Sequence, residues 1–152
     1  MMITFKNVLL LTDLSSNADA AAPYAVELAR RDGGRIQLVH VFEDLTFYTI
    51  PISEAPIAVD LSDYIKGTHS DRAKKLGEKA AALATSSGLA VVPVMLSGHP
   101  VNQIVDYAKK EKADAIVVAT HGRTGAAHAF FGSVAERVVR QSPCPVLSVR
   151  PI

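Results

Sequence analysis

The residues best suited to chemistry lie in one segment late in the chain, where glycine and polar side chains separate two apolar stretches. They are His121, Gly122, Arg123, Thr124, Gly132 and Ser133. Glycine lets a ligand approach the backbone closely, and the N–H groups at the start of a helix carry about half a positive charge. An arginine beside them adds a fork of N–H donors. These residue types together favour the binding of an anion such as a phosphate group.

The sequence around this segment predicts that it lies at one edge of a sheet. Residues 116–119 form a short, unbroken apolar run, which is typical of a parallel strand buried on both faces. The next helix is predicted to start near Gly132, because Ser133 and Glu136 have the spacing of a capping box, and Val146–Val149 supply the following strand. Open α/β sheets bind ligands at such a strand end. In the alternative interpretation, the glycines only turn the chain and the serine only caps the helix.

The rest of the chain alternates between predicted strands and helices. The predicted elements before this segment are strands at residues 8–11, 36–41 and 89–96, a helix that ends at Gly33 and Gly34, and helices at residues 61–87 and from Pro100. Pro23 is expected to kink the first helix, and Pro93 favours an edge position for the third strand. Residues 43–60 lack a clear period and could form a lid, a partner surface or a packed structural excursion. This alternation predicts an α/β fold with a doubly wound, five-stranded parallel sheet and right-handed crossovers.

Composition predicts a single domain over residues 1–152, because 152 residues with 49% hydrophobic content can bury a sizeable core. A net charge of +1 gives no basic field, so we expect neither nucleic acid nor an anionic membrane as a partner. The single cysteine, Cys144, excludes an intrachain disulfide and suits a reducing compartment. The sequence shows no signal peptide and no apolar run near the roughly 20 residues that span a bilayer. A soluble, cytoplasmic protein is therefore expected.

The glycine segment resembles that of the universal stress protein family, in its single-domain, nucleotide-binding type. Members of that type carry Gly-x2-Gly-x9-Gly-Ser/Thr before the last helix, and Gly122, Gly132 and Ser133 match this pattern. The first glycine of the pattern falls on Ala119, and a proline that is usual in the family falls on Leu11. The resemblance is also carried by KNVLLLTDLS at residues 6–15 and PCPVLSVR at residues 143–150. It covers essentially the whole chain.

The family resemblance implies a Rossmann-like sheet of the adenine nucleotide alpha hydrolase-like kind, with strand order 3-2-1-4-5. It also implies that ATP or a related adenine nucleotide binds, together with Mg²⁺. The residues implied to contact the nucleotide are Thr12, Asp13, Val41, Ala119, His121, Gly122, Arg123, Thr124, Gly132, Ser133 and Val134. In the family, a backbone group at the position of Val41 reads the adenine.

Two residues of this set have alternative interpretations. Asp13 follows the first strand and could accept hydrogen bonds from a ribose or help to hold a metal, or it could be a turn or cap carboxylate. Ala119 places a methyl group where the family has glycine, and if the ligand approaches closely, Ala119→Gly should tighten binding. In the alternative, this alanine is harmless to binding.

The sequence contains no motif for the common nucleotide enzymes. It lacks Gly-x-Gly-x-x-Gly after the first strand, a P-loop and a Gly-x-Ser-x-Gly elbow, and its five histidines have no zinc-ligand spacing. We therefore predict no catalytic residue and no metal-ligand set. Two hypotheses remain: a nucleotide-binding module for stress response or signalling, and a dimeric interaction protein of the same fold without nucleotide. Slow ATP hydrolysis is a minor third possibility.

The final strand, which begins at Val146 and ends by Arg150, is expected to form a homodimer. The last strand of this topology should lie at a sheet edge, and exposed apolar edges are normally paired or covered. The resembling family also pairs this strand across a two-fold axis, which suits a self-complementary interface.

Overall fold

The computed structural model describes residues 1–43, 62–120 and 130–151. His121, Gly122, Arg123, Thr124 and nearly all of the predicted irregular segment 43–60 lie outside the described residues. The strands are β1 (Asn7–Leu11), β2 (Arg35–Phe42), β3 (Val91–Ser97), β4 (Ala115–Ala119) and β5 (Val146–Val149). The helices are α1 (Ala22–Arg31), α2 (Ser62–Ser87), α3 (Pro100–Lys110) and α4 (Phe130–Gln141), with a 3₁₀ turn at Ala18–Ala21 before α1.

The five strands form one parallel sheet with the order β3-β2-β1-β4-β5. This confirms the predicted α/β class and the strand order implied by the family resemblance. β1 lies at the centre, where Leu10 is opposite Leu38 of β2 on one side and Val117 of β4 on the other. β1 and β4 read as unbroken apolar runs because helices cover both of their faces.

Each face of the sheet has its own apolar cluster. On one face, small residues of α1 and two residues of α2 pack on the strands: Ala25, Ala29, Leu76 and Ala80. On the other face, α3 and α4 contribute Val101, Ile104, Val105, Ala108, Val134 and Val138. The apolar positions of α3 that recur at helical spacing, Val101, Ile104, Val105 and Ala108, are all buried on one face. Within the described residues, no helix combines the length and the apolar character needed to cross a bilayer.

The sheet edges are formed by β3 and β5, as predicted. Pro93 lies in β3 opposite Leu38, and β3 pairs only with β2. An edge strand tolerates proline because one side of it makes no ladder bonds. β5 pairs only with β4, with Leu147 opposite Val117.

The predicted kink at Pro23 is wrong. α1 begins at Ala22, so the proline lies in its first turn, where the missing N–H removes no helical hydrogen bond. The 3₁₀ turn at Ala18–Ala21 separates this start from β1. α1 then continues without interruption from Ala22 to Arg31.

Gly34 allows β2 to start directly against the segment before β1. A Cβ at this position would lie 2.5 Å from the carbonyl oxygen of Phe5 and 2.6 Å from Cα of Lys6, which are impossible contacts. The next amide, that of Arg35, donates to the Lys6 carbonyl oxygen at 2.9 Å. Only glycine permits this approach, which sets the register of β2 on β1.

Candidate functional site

The order of the strands reverses between β1 and β4, where open α/β sheets leave a crevice for ligands. β1 leads to α1 on one face of the sheet, and β4 leads to α4 on the other face. Because β1 and β4 pair in parallel, their carboxyl ends lie side by side at this crevice. Thr12 and Asp13 follow β1 directly, and Ala119 is the last residue of β4.

Backbone and side-chain bonds to β2 fix the position of Thr12. Its amide donates to the Val39 carbonyl oxygen at 2.9 Å, and its carbonyl oxygen lies 2.9 Å from Nδ1 of the buried His40. Its hydroxyl oxygen accepts the amide of Leu14 at 3.0 Å. Thr12 is 5% exposed, so its side chain supports the turn and contributes little surface to the crevice.

The side chain of Asp13 is oriented by the turn that follows it. Oδ1 of Asp13 accepts the amide of Ser15 at 2.9 Å and also the Ser15 hydroxyl. The Ser15 oxygen in turn accepts the amide of Ala18 at 3.2 Å, which joins the turn to the 3₁₀ segment. The structure thus confirms Asp13 as a turn carboxylate that is partly exposed at the crevice, and its contact with a ribose or a metal stays a prediction.

Within this turn, Leu14 itself has a strained backbone conformation. Its φ of +69° lies in the left-handed region, which costs a leucine roughly 1–3 kcal/mol. Burial of its side chain, 6% exposed in the α1-side cluster, and the bond from its amide to Thr12 offset that cost. Backbone strain of this kind is concentrated at ligand sites and switches.

Ala119 and Leu11, the two positions that depart from the family pattern, both lie in the core. Ala119 is fully buried and belongs to the apolar cluster on the α1 side, so its methyl group packs in the core. The expectation that Ala119→Gly tightens binding stays a prediction. Leu11, 1% exposed, packs in the cluster on the opposite face. Period-two alternation along parallel strands places such strand-end side chains in the core layers.

α4 begins at the same edge of the sheet, but two residues earlier than predicted. Ser133 is the fourth residue of α4 and is exposed, so it is not the capping residue, which must precede the first helical residue. Residues 130–132 contain no proline, and nothing prevents the helix from extending back through them. Gly132 is in the first turn, and Val134, 6% exposed, packs in the core and can offer a ligand only its backbone.

Val41 lies at the carboxyl end of β2, next to the last residue of that strand. Its side chain is half-buried against the α3-side cluster. The following residue, Phe42, accepts the amide of Gly98 at 3.0 Å, so the ends of β2 and β3 are tied together. The structure thus brings the ends of three strands, with Thr12, Asp13, Val41 and Ala119, to one edge of the sheet.

A pocket that sequence analysis missed opens beside this crevice. Its volume is about 300 Å³, and it lies between the turn after β1 and α2. It is lined by Asp13, Leu14, Ser15, Arg72 and Lys75. The three-residue spacing of the arginine and the lysine places them on one helix face, but nothing in the sequence indicates that this face meets the β1 turn.

Outside the crevice, the described residues provide neither a metal-ligand cluster nor an activated thiol. Among the described residues, no group of three or more His, Cys, Asp or Glu side chains could hold a metal ion. Cys144 is half-buried, and this burial raises the pKa of its thiol despite the nearby Ser142 hydroxyl. The thiolate is therefore disfavoured, as expected for a structural cysteine.

Comparison with known proteins agrees with this architecture. The model of the universal stress protein family matches residues 4–150. A universal stress protein of Thermus aquaticus is 35% identical over 147 residues, which is 96% of this chain and 99% of the relative. The solved structure of the universal stress protein UspA of Lactobacillus plantarum has a TM-score of 0.79 at 28% identity, and covers 97% of this chain and 99% of its own.

Two further solved structures of this fold are complexes with adenine nucleotides. One is a universal stress protein in complex with cAMP, with 22% identity, a TM-score of 0.61 and coverage of 96% of this chain and 97% of its own. The other, from Archaeoglobus fulgidus, is in complex with dAMP, with 24% identity, a TM-score of 0.62 and coverage of 97% and 98%. At these identities the likeness concerns the fold. The family model and the relative together establish that the chain belongs to the universal stress protein family.

Proposed function

We propose that this protein binds ATP or a related adenine nucleotide in the crevice between β1 and β4, and acts as a stress-response or signalling module. The observation that carries the proposal is the position of Asp13. Its carboxylate is oriented by Ser15 at the point where the strand order reverses, at the same edge as the first turn of α4. A carboxylate accepts ribose hydroxyls well, and the start of a helix favours phosphate.

The proposed roles of the individual residues combine these positions with what the family resemblance implies. Asp13 accepts the ribose hydroxyls, and the backbone at Val41 reads the adenine edge. Thr12 and Ala119 form the floor, since both are buried at the strand ends. The phosphates lie against the glycine pattern, formed by His121, Gly122, Arg123, Thr124, Gly132, Ser133 and Val134. Mg²⁺ accompanies them because it neutralises adjacent phosphate oxygens.

The two adenine nucleotide complexes of the same fold support the ligand class. The ligands in these complexes are cAMP and dAMP, so the complexes support an adenine nucleotide more strongly than they support ATP. The Gly-x9-Gly-Ser part of the family pattern is present here and supports phosphate binding at α4.

Calorimetry with ATP, with and without Mg²⁺, tests the proposal directly, together with mass spectrometry of protein purified without added nucleotide. We expect saturable binding that Gly132→Val weakens at least about tenfold, because a side chain would stand where phosphate approaches the backbone. Gly77→Val is the matched control, since a Cβ at that helical glycine meets nothing within 4 Å. No heat and no co-purified nucleotide up to millimolar ATP would contradict the proposal.

A homodimer through β5 is the second proposal, and one observation favours it. Leu147, on this edge strand, is 38% exposed, and Val139 of the adjacent α4 is 51% exposed. Pairing two copies of β5 would cover this apolar edge. Light scattering should give a dimer that Leu147→Asp dissociates, whereas Val92→Asp on the opposite edge, at 42% exposure, leaves it intact. A monomer at tens of micromolar would refute it.

A further inference from the structure

The pocket beside the crevice is lined by charged side chains that could hold an anion. Its walls carry two cations, Arg72 and Lys75, and one carboxylate, Asp13. The Asp13 carboxylate is held by the amide and the hydroxyl of Ser15, which satisfy part of its negative charge. Two cations against one carboxylate give the described lining a net positive charge, which favours an anionic group such as a phosphate monoester.

Aromatic contacts position the arginine of this pocket. The guanidinium carbon of Arg72 lies 5.2 Å from the ring centroid of Phe42, at cation–π distance. Phe42 is 5% exposed, and its ring also meets the edge of the His69 ring at a centroid distance of 5.1 Å. Stacking uses the face of a guanidinium, whereas its N–H donors lie in the plane. The arginine is therefore preorganised at the carboxyl end of β2, close to the proposed adenine position.

The turn after β1 joins this pocket to the crevice. Asp13 belongs to both, and Leu14 and Ser15 form the adjoining wall. α2 packs on the α1 face of the sheet, whereas α4 packs on the other face. A nucleotide whose 5′-phosphate lies at the start of α4 and whose ribose lies on Asp13 would direct its ribose hydroxyls to the α2 side.

We propose that Arg72 and Lys75 form a second phosphate subsite, selective for adenine nucleotides that carry a phosphate on a ribose hydroxyl. This inference rests on the proposed function, because it uses Asp13 as the ribose contact. The expected ligand class has anionic groups at both ends of the ribose. Each cation donates a charge-assisted hydrogen bond to the phosphate. An unsubstituted ribose hydroxyl cannot accept a bond of that kind, because it carries no charge.

The test compares AMP with adenosine 3′,5′-bisphosphate, which differ only in the phosphate on the ribose. Calorimetry on the wild type should show about tenfold tighter binding of the bisphosphate. The double variant Arg72→Gln with Lys75→Gln should lose this preference while its affinity for AMP stays within about twofold. Lys74→Gln is the matched control, because it removes an exposed cation from the same helix outside the pocket.

The remaining outcomes separate the subsite from the nucleotide site. Equal affinity of the wild type for the two ligands, or a preference that survives in the double variant, overturns the subsite but leaves the proposed function standing. Binding of neither ligand overturns both. If the double variant does not fold, Lys75→Gln alone should reduce the preference by about threefold, and an unchanged preference overturns the subsite.

Discussion

The two ends of the sheet use polar side chains for opposite purposes. At the amino end, polar groups bond to one another across the fold: the Gln37 amide nitrogen donates to Oδ1 of Asn7 at 2.8 Å, and the Tyr107 hydroxyl donates to the other Gln37 amide atom, its oxygen. Asn7 also donates to the Glu111 carbonyl oxygen at 2.9 Å. Gln37 is 3% exposed, so these bonds join β1, β2 and α3 inside the protein.

Carboxylates at the amino end bind backbone groups of the incoming chain. Oδ2 of Asp114 accepts the amides of Lys6 at 2.9 Å and Asn7 at 2.8 Å. Burial, with the nearby Glu111 carboxylate, raises the pKa of Tyr107, which keeps its phenol protonated as a donor at neutral pH. At this end, the polar groups form hydrogen bonds with other groups of the same chain.

At the carboxyl end, by contrast, charged side chains line a pocket. Asp13, Arg72 and Lys75 line a pocket of about 300 Å³, and Leu14 is held there at positive φ. Backbone strain and charged side chains around a cavity are typical of ligand sites, which agrees with the proposed binding at this end. The comparison assigns the polar groups at the amino end to stability and the proposed nucleotide site to the carboxyl end.

The largest effect should come from breaking the close backbone approach at the amino end. Gly34→Ala places a Cβ 2.5 Å from the Phe5 carbonyl oxygen, so the backbone must move. We expect the free energy of unfolding to fall by about 3 kcal/mol in urea denaturation. A loss below about 1 kcal/mol would show that this end of the sheet is plastic.

A double-mutant cycle on the buried network gives the next largest effect. Gln37→Leu removes the partner of Oδ1 of Asn7 and the partner of the Tyr107 hydroxyl, and should cost about 2 kcal/mol of unfolding free energy. Tyr107→Phe alone should cost about 1 kcal/mol, and the two losses should not add, since they share one bond. Nucleotide affinity should not change. Additive losses would contradict a connected network.

At the carboxyl end, Asp13→Asn should have the opposite signature. The asparagine oxygen still accepts the Ser15 amide, so the free energy of unfolding should change by less than about 1 kcal/mol. Nucleotide affinity should fall about tenfold, because a charge-assisted bond to the ribose becomes neutral. Asp106→Asn, at an exposed position of α3, is the control. A large stability loss without an affinity loss would reverse the comparison.

The smallest effect sharpens the stability side away from both ends. Gly77 lies in the interior of α2, and a Cβ there meets nothing within 4 Å. Gly77→Ala should therefore raise the free energy of unfolding by about 1 kcal/mol through helix propensity, without changing nucleotide affinity. A fall in stability would show that α2 needs flexibility at this position.

Patterns that depend on neighbours in sequence were predicted well. The spacing of Val101, Ile104 and Val105 gave the buried face of α3, because helical geometry alone decides which residues share a face. Local sequence cues gave wrong predictions at the starts of two helices. The capping spacing at Ser133 misplaced the start of α4, and Pro23 was assigned a kink although the helix starts beside it.

By itself, the sequence determined the buried parallel strands, their alternation with helices and the family pattern around Gly122 and Gly132, because these are properties of residue type and spacing. Only the tertiary structure decided which side chains meet across elements. The Ala119 methyl group packs in the core, and Arg72 and Lys75 line the same pocket as Asp13. The physical reason is that such contacts join residues far apart in the chain, and the packing of α2 on the α1 face of the sheet brings them together.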